Sequence, residues 1–138
     1  MSGHSEADFQ LDPRLAADTV LVADWPLCRV LLMDDARFPW LILVPRRTGV
    51  AELDDLARTD RLQLLDETDR ALALLRGLGP CDKINVGALG NIVRQLHVHV
   101  VARLQGDGAW PGPVWGVGTA QPYPSTEREA LLARLRQA

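Results

Sequence analysis

Short apolar runs separated by turn residues predict a block of β-strands in the first third of the chain. Residues 19–23, 28–33 and 40–44 are rich in Val, Leu and Ile, which favours strands. Pro45 ends the third run, because proline lacks the N–H that a further strand residue would donate. The connections are short, so these strands are expected to pair as antiparallel hairpins.

Two further strands and two helices are predicted in the rest of the chain. Residues 83–86 and 92–103 have strand patterns, and Ser125 begins a last amphipathic helix. A longer helix follows Thr59, a good N-cap, and ends at Gly77. Its expected buried face is marked by Leu62, Leu65, Leu72 and Leu75.

Strands and helices fall into separate blocks, which predicts an α+β protein. The 138 residues fit one domain, which we assign to residues 11–138, with residues 1–10 as a flexible leader. The chain has 15 Lys and Arg residues and 18 Asp and Glu residues, so its net charge is −3. This charge disfavours a general nucleic-acid binder. Two cysteines are too few for a disulfide framework or a cysteine-rich zinc site.

No apolar run approaches the roughly 20 residues of a membrane-spanning helix. The first residues are polar and acidic, unlike a secretory or transit peptide. We therefore expect a cytoplasmic protein that does not enter the membrane.

The segment around two histidines carries the candidate chemistry. Side chains alternate across a strand, so Gln95, His97 and His99 are expected on one face, with same-face neighbours about 6.5–7 Å apart. Two imidazoles at that spacing can bracket a phosphate group. A backbone carbonyl that accepts from Nδ1 would leave the Nε2 lone pair of a histidine free for attack. A pair of surface histidines and a metal-binding pair are the alternatives.

A glycine-containing loop precedes this segment. Gly87 and Gly90 flank a tight connection, and Asn85 comes just before it. Glycines let backbone amides approach an anion closely, and an asparagine side chain can both donate and accept hydrogen bonds. An ordinary hairpin turn would use the same residues.

The ordered string over residues 85–101, Asn-x-Gly-x-x-Gly-Asn-x-Val-x-Gln-Leu-His-Val-His-Val-Val, resembles the signature of the histidine triad (HIT) family. That signature is His-φ-His-φ-His-φ-φ, where φ is apolar, preceded by Asn-x-Gly-x-x-Gly-Gln. Residues 38–45 are similar to the family's Pro-Gly-His-φ-φ-φ-φ-Pro strand, and Trp110-Pro111 matches a Trp-Pro pair of several members. The resemblance spans residues 18–115 and marks a bacterial-type member with a Gln-x-His-x-His variant.

The resemblance implies a HIT-like fold: an antiparallel sheet of about five strands with a long helix packed on it and a C-terminal helix, in a homodimer. It implies a nucleotide substrate and no cofactor or metal. The expected reaction is hydrolysis or nucleotidyl transfer at a P–O–P or P–N bond, through a nucleotidyl-histidine intermediate. Dinucleoside polyphosphates and nucleoside phosphoramidates are the substrate types.

The resemblance also assigns roles to individual residues. His97 would be the nucleophile, the carbonyl of Gln95 would orient it, and His99 would bind a phosphate oxygen. The remaining expected nucleotide or phosphate contacts are Asn85, Gly90, Asn91 and Asp34, with Asp35 as a weaker choice for the ribose. Independently of the resemblance, Arg103 shares the strand face of His97 and is a weak candidate for phosphate contact.

Several positions depart from the family pattern. Gln95 replaces the first histidine and cannot titrate, so any proton relay at that position is lost. Asn91 replaces the usual glutamine, Ile92 a frequent Ser or Thr, and Leu41 the separate upstream histidine. These changes keep a second function open, a nucleotide-binding module with weak or no catalysis. The sequence also leaves open whether Trp110 and Trp115 line the site, the core or a dimer interface.

Overall fold

The computed structural model describes residues 5–137. Five strands form one antiparallel sheet in the order β1-β2-β3-β5-β4. They are β1 (Thr19–Asp24), β2 (Cys28–Met33), β3 (Trp40–Pro45), β4 (Lys83–Gly87) and β5 (Val98–Arg103). The helices are α1 (Pro13–Asp18), α2 (Arg58–Arg76) and α3 (Ser125–Gln137), with a 3₁₀ turn at Leu53–Asp55. The predicted α+β class, with its five-stranded antiparallel sheet, long helix and C-terminal helix, is confirmed.

The two faces of the sheet are covered by different parts of the chain. One face packs on α2 and α3, and its side chains include Leu41, Val98 and Val100. The opposite face carries Trp40, Ile42 and Val101, covered by α1 and by the loop around Val114. Alternation along β5 places His99 and Arg103 on this second face, together with Val101. The candidate site therefore lies on the side away from the two long helices.

Helix α1 was not predicted from the sequence, because six residues are too few to show a helical repeat. The side chain of Asp12 caps it by accepting from the backbone N–H of Arg14, and Pro13 occupies the first turn. Leu15 is buried against the second face of the sheet.

The expected buried face of α2 was partly wrong. The helix begins at Arg58 with Ala57, not Thr59, as its N-cap. Leu62 and Leu65 are 50% and 58% exposed, whereas Leu75 is buried as expected. The residues that face the core are Leu64, Glu67, Ala71, Leu74 and Leu75. The leucine stripe is thus divided between the core and an exposed side of the helix.

The strand expected over residues 92–103 is shorter, because β5 begins at Val98. The pairing of β3 with β5 ends at Leu43 and Val98, and continuing it would place Pro45, which has no N–H, beside Leu96. The N–H of Leu96 instead donates to the carbonyl of Val50. Gln95 and His97 consequently lie in a connection before the strand.

Residues 1–4 of the expected leader, including His4, lie outside the described residues. The rest of the leader contacts the domain: Glu6 forms an ion pair with Arg46 at 2.8 Å, and Phe9 packs against the second apolar cluster. Within residues 5–137, no helix is long and apolar enough to cross a membrane.

Candidate active site

The two histidines pack edge to face on the side of the sheet opposite α2 and α3, with ring centroids 4.9 Å apart. His97 and His99 are 6% and 5% exposed, so both are more enclosed than surface histidines would be. Nδ1 of His97 lies 2.7 Å from the carbonyl oxygen of Gln95. A carbonyl can only accept, so Nδ1 carries the proton and the lone pair of the neutral ring is at Nε2.

His99 is held by Trp40 of β3. The indole Nε1–H donates to Nδ1 of His99 over 3.0 Å, which leaves the proton of the neutral imidazole at Nε2. Burial, followed by the charge of His97, lowers the pKa of His99 to about 4. His99 is therefore neutral at physiological pH and presents an N–H donor at Nε2.

The β3 residue that meets the histidines is Trp40. The resemblance instead puts Leu41 in place of the family's upstream histidine. Leu41 is fully buried on the opposite face, against the helices, so it has no access to the site. One residue of register along a strand decides which face a side chain occupies.

Trp115 forms a second aromatic wall of the site, with its ring centroid 5.2 Å from that of His99. It also packs on Gly87, where a Cβ atom would come within 3.2 Å of the Trp115 ring. Glycine at position 87 thus leaves room for the indole beside His99. Trp110 lies earlier in the same loop, and its ring centroid is 5.7 Å from the guanidinium carbon of Arg103.

The side chain of Gln95 points away from the imidazoles and binds the N-terminal segment. Its Oε1 accepts from the backbone N–H of Asp12 at 2.8 Å, and its Nε2 donates to the carbonyl of Gln10 at 2.9 Å. An amide can make both contacts because it carries a donor and an acceptor side by side. Gln95 therefore serves His97 through its backbone and the N-terminal segment through its side chain.

Asn85 of β4 lies on the histidine face, because it pairs with Val101 while Gly87 pairs with His99. Its Oδ1 accepts from Nη1 of Arg103 at 2.8 Å. Arg103 is 1% exposed and makes two further 2.8 Å contacts with the carboxylate of Asp107. The expectation that Arg103 contacts phosphate is wrong, because its guanidinium is enclosed and its donors are directed to Asn85 and Asp107.

The loop before the histidines is open to solvent at its centre. Gly90 has a φ of 81°, a backbone conformation that favours glycine. Asn91 is exposed, and Ile92 is 82% exposed. Arg14 of α1 holds this loop by donating to the carbonyl of Ile92 at 3.0 Å.

Asp34 borders a cavity of about 380 Å³ that adjoins the histidines through Trp40. Its Oδ1 accepts from the backbone N–H of Tyr123, and its Oδ2 lies 3.5 Å from Arg128. Asp35 also borders the cavity but is 1% exposed and forms a 2.7 Å ion pair with Arg37. Of the two carboxylates, Asp34 is the more accessible.

The structure provides no cluster of three His, Cys, Asp or Glu side chains placed to hold a metal ion, counting residues 5–137. The cysteines are free, with Cys28 buried and Cys81 partly exposed.

Comparisons with known proteins agree with this geometry. The HIT domain family model matches residues 14–106. The solved structure of a histidine triad protein from Sinorhizobium meliloti has a TM-score of 0.93 and 47% identity, with 96% of this chain and 98% of that chain covered. A histidine triad protein from Bradyrhizobium japonicum has a TM-score of 0.91 and 45% identity, with 94% of this chain and 96% of that chain covered. A histidine triad protein from Marinobacter aquaeolei has a TM-score of 0.85 and 44% identity, with 94% of each chain covered.

A curated relative, an AP-4-A phosphorylase of Mycobacterium tuberculosis, is 36% identical over 73 residues. That match covers 49% of this chain and only 37% of the relative. Together with the histidine face and the sheet order, these likenesses identify the chain as a bacterial-type member of the HIT family. The family and this relative support the broad class of HIT-type nucleotide hydrolases and transferases.

Proposed function

We propose that the protein is a nucleotide hydrolase or nucleotidyl transferase in which His97 attacks the α-phosphorus of its substrate. The observation that carries the proposal is the 2.7 Å contact between Nδ1 of His97 and the carbonyl of Gln95. It fixes the tautomer with a free Nε2 lone pair, which is the form of imidazole that acts as a nucleophile.

In the proposed reaction, Nε2 of His97 forms a bond to phosphorus while the bond between phosphorus and the leaving group breaks. The leaving group departs with the bonding electrons. Water, or another acceptor, then attacks the nucleotidyl-histidine and loses a proton, which releases the product nucleotide and neutral His97. The N–H at Nε2 of His99 would donate to a phosphate oxygen as negative charge develops, a role that the contact from Trp40 supports.

The nucleotide is proposed to occupy the space between the loop before His97 and the cavity beside Trp40. Asp34 would accept hydrogen bonds from the ribose hydroxyls, since a carboxylate can accept from two neighbouring hydroxyls. Gly90 and Asn91 would contact phosphate from the loop, and Asn85 would contact phosphate or the leaving group from β4.

A second candidate function is a nucleotide-binding module with weak catalysis. It is favoured by the side chain of Gln95, which is bound to the backbone of residues 10 and 12 and cannot titrate. Ile92 adds to this case, because it offers no hydroxyl to a phosphate.

We further propose that the protein is a homodimer that buries an apolar groove between α2 and β4. The groove has a volume of about 530 Å³ and is lined by Leu53, Leu62, Leu65, Val86 and five other residues, most of them apolar or small, together with Arg58 and Arg61. β4 is an edge strand of the sheet, so its outer hydrogen-bonding groups are available for pairing with a second copy. A second copy would cover the exposed half of the α2 leucine stripe.

Turnover of diadenosine tetraphosphate and of adenosine phosphoramidate by the wild type and by His97→Gln separates the two candidate functions. The proposed enzyme turns over at least one of them, and His97→Gln does not. Saturable AMP binding without turnover by the wild type would instead establish the binding module. The same assays with and without a chelator test the metal-binding alternative.

A further inference from the structure

A fully buried arginine on the histidine face has no role in the reaction described above. The aromatic rings of Phe38 and Trp110 each lie 5.7 Å from the guanidinium carbon of Arg103. Asp107 accepts two of its N–H groups at 2.8 Å, and Asn85 accepts a third at the same distance. Such a cage holds the guanidinium in one position, because its donors are fixed in a planar fork.

The contact with Arg103 settles the orientation of the Asn85 amide. A guanidinium has donors only, so the group that faces it must be the oxygen Oδ1, and Nδ2 must occupy the other arm. In residues 5–137, no group accepts from Nδ2. Asn85 pairs with Val101, which lies between His99 and Arg103 along β5. When the oxygen of the Asn85 amide faces Arg103, its nitrogen therefore faces His99.

We propose that Arg103 is a positioning residue, which holds the Asn85 amide so that its Nδ2–H group donates to the phosphate or the departing oxygen. Asp107 completes the arrangement, because it binds Arg103 and also accepts from the backbone N–H groups of Ala109 and Trp110. Arg103 itself touches no substrate. This assignment rests on the proposed function of the site.

The test is a double-mutant cycle of Asn85→Ala and Arg103→Lys, with kcat and KM measured on diadenosine tetraphosphate. Lysine keeps the positive charge for Asp107 but lacks the fork that reaches both partners. A hydrogen bond to a charged oxygen is worth about a tenfold to hundredfold change in rate, so each single variant should lower kcat by about that factor. The double variant should be no slower than Asn85→Ala, because Arg103 acts through Asn85.

A control separates positioning from general destabilisation. Glu67 is buried on the opposite side of the sheet, where it accepts from the backbone N–H groups of Leu27 and Cys28. Glu67→Gln should lower the Tm and leave kcat unchanged. Asn85→Asp covers the case in which Arg103→Lys fails to fold, because it keeps the oxygen that faces Arg103 and removes the N–H donor.

We expect Asn85→Asp to lose at least as much kcat as Asn85→Ala. If the effects of Arg103→Lys and Asn85→Ala on kcat multiply, the two residues act independently and the positioning role is overturned. An unchanged kcat in Asn85→Asp would overturn it as well. Neither result would contradict the proposed function. Absence of turnover by the wild type would overturn the proposed function and this assignment with it.

Discussion

The indole nitrogen of Trp40 donates to Nδ1 of His99 over 3.0 Å and so fixes the proton of the neutral ring at Nε2. The carbonyl of Gln95 does the same for His97, with the opposite result. One imidazole is left with a free lone pair and its neighbour with a free N–H. A ring with a free lone pair and a ring with a free N–H donor therefore stand side by side, although both residues are histidines.

Replacing the indole tests the first of these contacts. Trp40→Phe keeps an aromatic ring but removes the donor that stabilises neutral His99, so the pKa of His99 should rise from its value of about 4. The variant should also populate both neutral tautomers of His99. Nitrogen NMR of the imidazoles against pH measures both properties. An unchanged titration and a single Nε2–H tautomer in Trp40→Phe would show that the indole does not control His99.

The low pKa of His99 predicts a loss of stability in mild acid. In the unfolded chain this group has its ordinary pKa of 6.5, so between pH 6.5 and about 4 the unfolded state binds more protons than the folded state. The contribution is complete above pH 6.5 and is lost as the pH falls through this window, by at most about 3 kcal/mol. Urea unfolding at pH 7 and pH 4.5 should show a larger drop for the wild type than for His99→Gln. Equal drops would contradict the assignment.

Glutamine at position 95 predicts a preference for leaving groups that need no proton. Gln95 cannot titrate and His99 is neutral, so departure as a stable anion, as from a P–O–P bond, should be favoured over departure of an amine. Rates on the AMP esters of p-nitrophenol and phenol should differ steeply for the wild type. An imidazole cannot replace both amide contacts to residues 10 and 12, so the side chain of Gln95→His is expected to turn toward the site, supply a proton and reduce that difference. Gln95→Ala is the matched control, because it also loses the contacts to residues 10 and 12 but adds no imidazole.

The apolar groove predicts that charge on α2 dissociates the dimer. Leu62→Glu and Leu65→Glu place carboxylates where the second copy would pack, so light scattering should give the mass of a monomer at micromolar concentration. Leu21→Glu is the control, because Leu21 is similarly exposed but lies on β1, at the other edge of the sheet. A monomeric wild type, or a dimer that survives both α2 substitutions, would contradict this interface.

The strands and long helices follow from local pattern, which is why the sheet, α2 and α3 were predictable from sequence. The side chains that each element packs against were not predictable in this way. Helical spacing groups Leu62 with Leu75 but cannot say that one faces solvent and the other the core. Strand alternation places Arg103 on the histidine face but does not reveal that Asp107 and Asn85 use its donors.

The contacts of Gln95 and Trp40 could not be predicted from the sequence pattern for the same reason. The hydrogen bonds of Gln95 join residues more than 80 positions apart, to the N-terminal segment. Trp40 was identifiable only as one member of an apolar run, since its indole N–H acts through a neighbouring strand. Long-range contacts of this kind depend on how the chain folds back on itself.

The proposed reaction requires that His97 becomes covalently nucleotidylated, and mass spectrometry of the rapidly quenched reaction detects such an adduct. Cleavage after Arg94 and Arg103 releases a peptide of residues 95–103, and fragmentation distinguishes a label on His97 from one on His99. With diadenosine tetraphosphate, this mechanism predicts an adenylyl group on His97 in the wild type and none in His97→Gln. Wild-type turnover with an unlabelled His97, or with the label on His99, would contradict it.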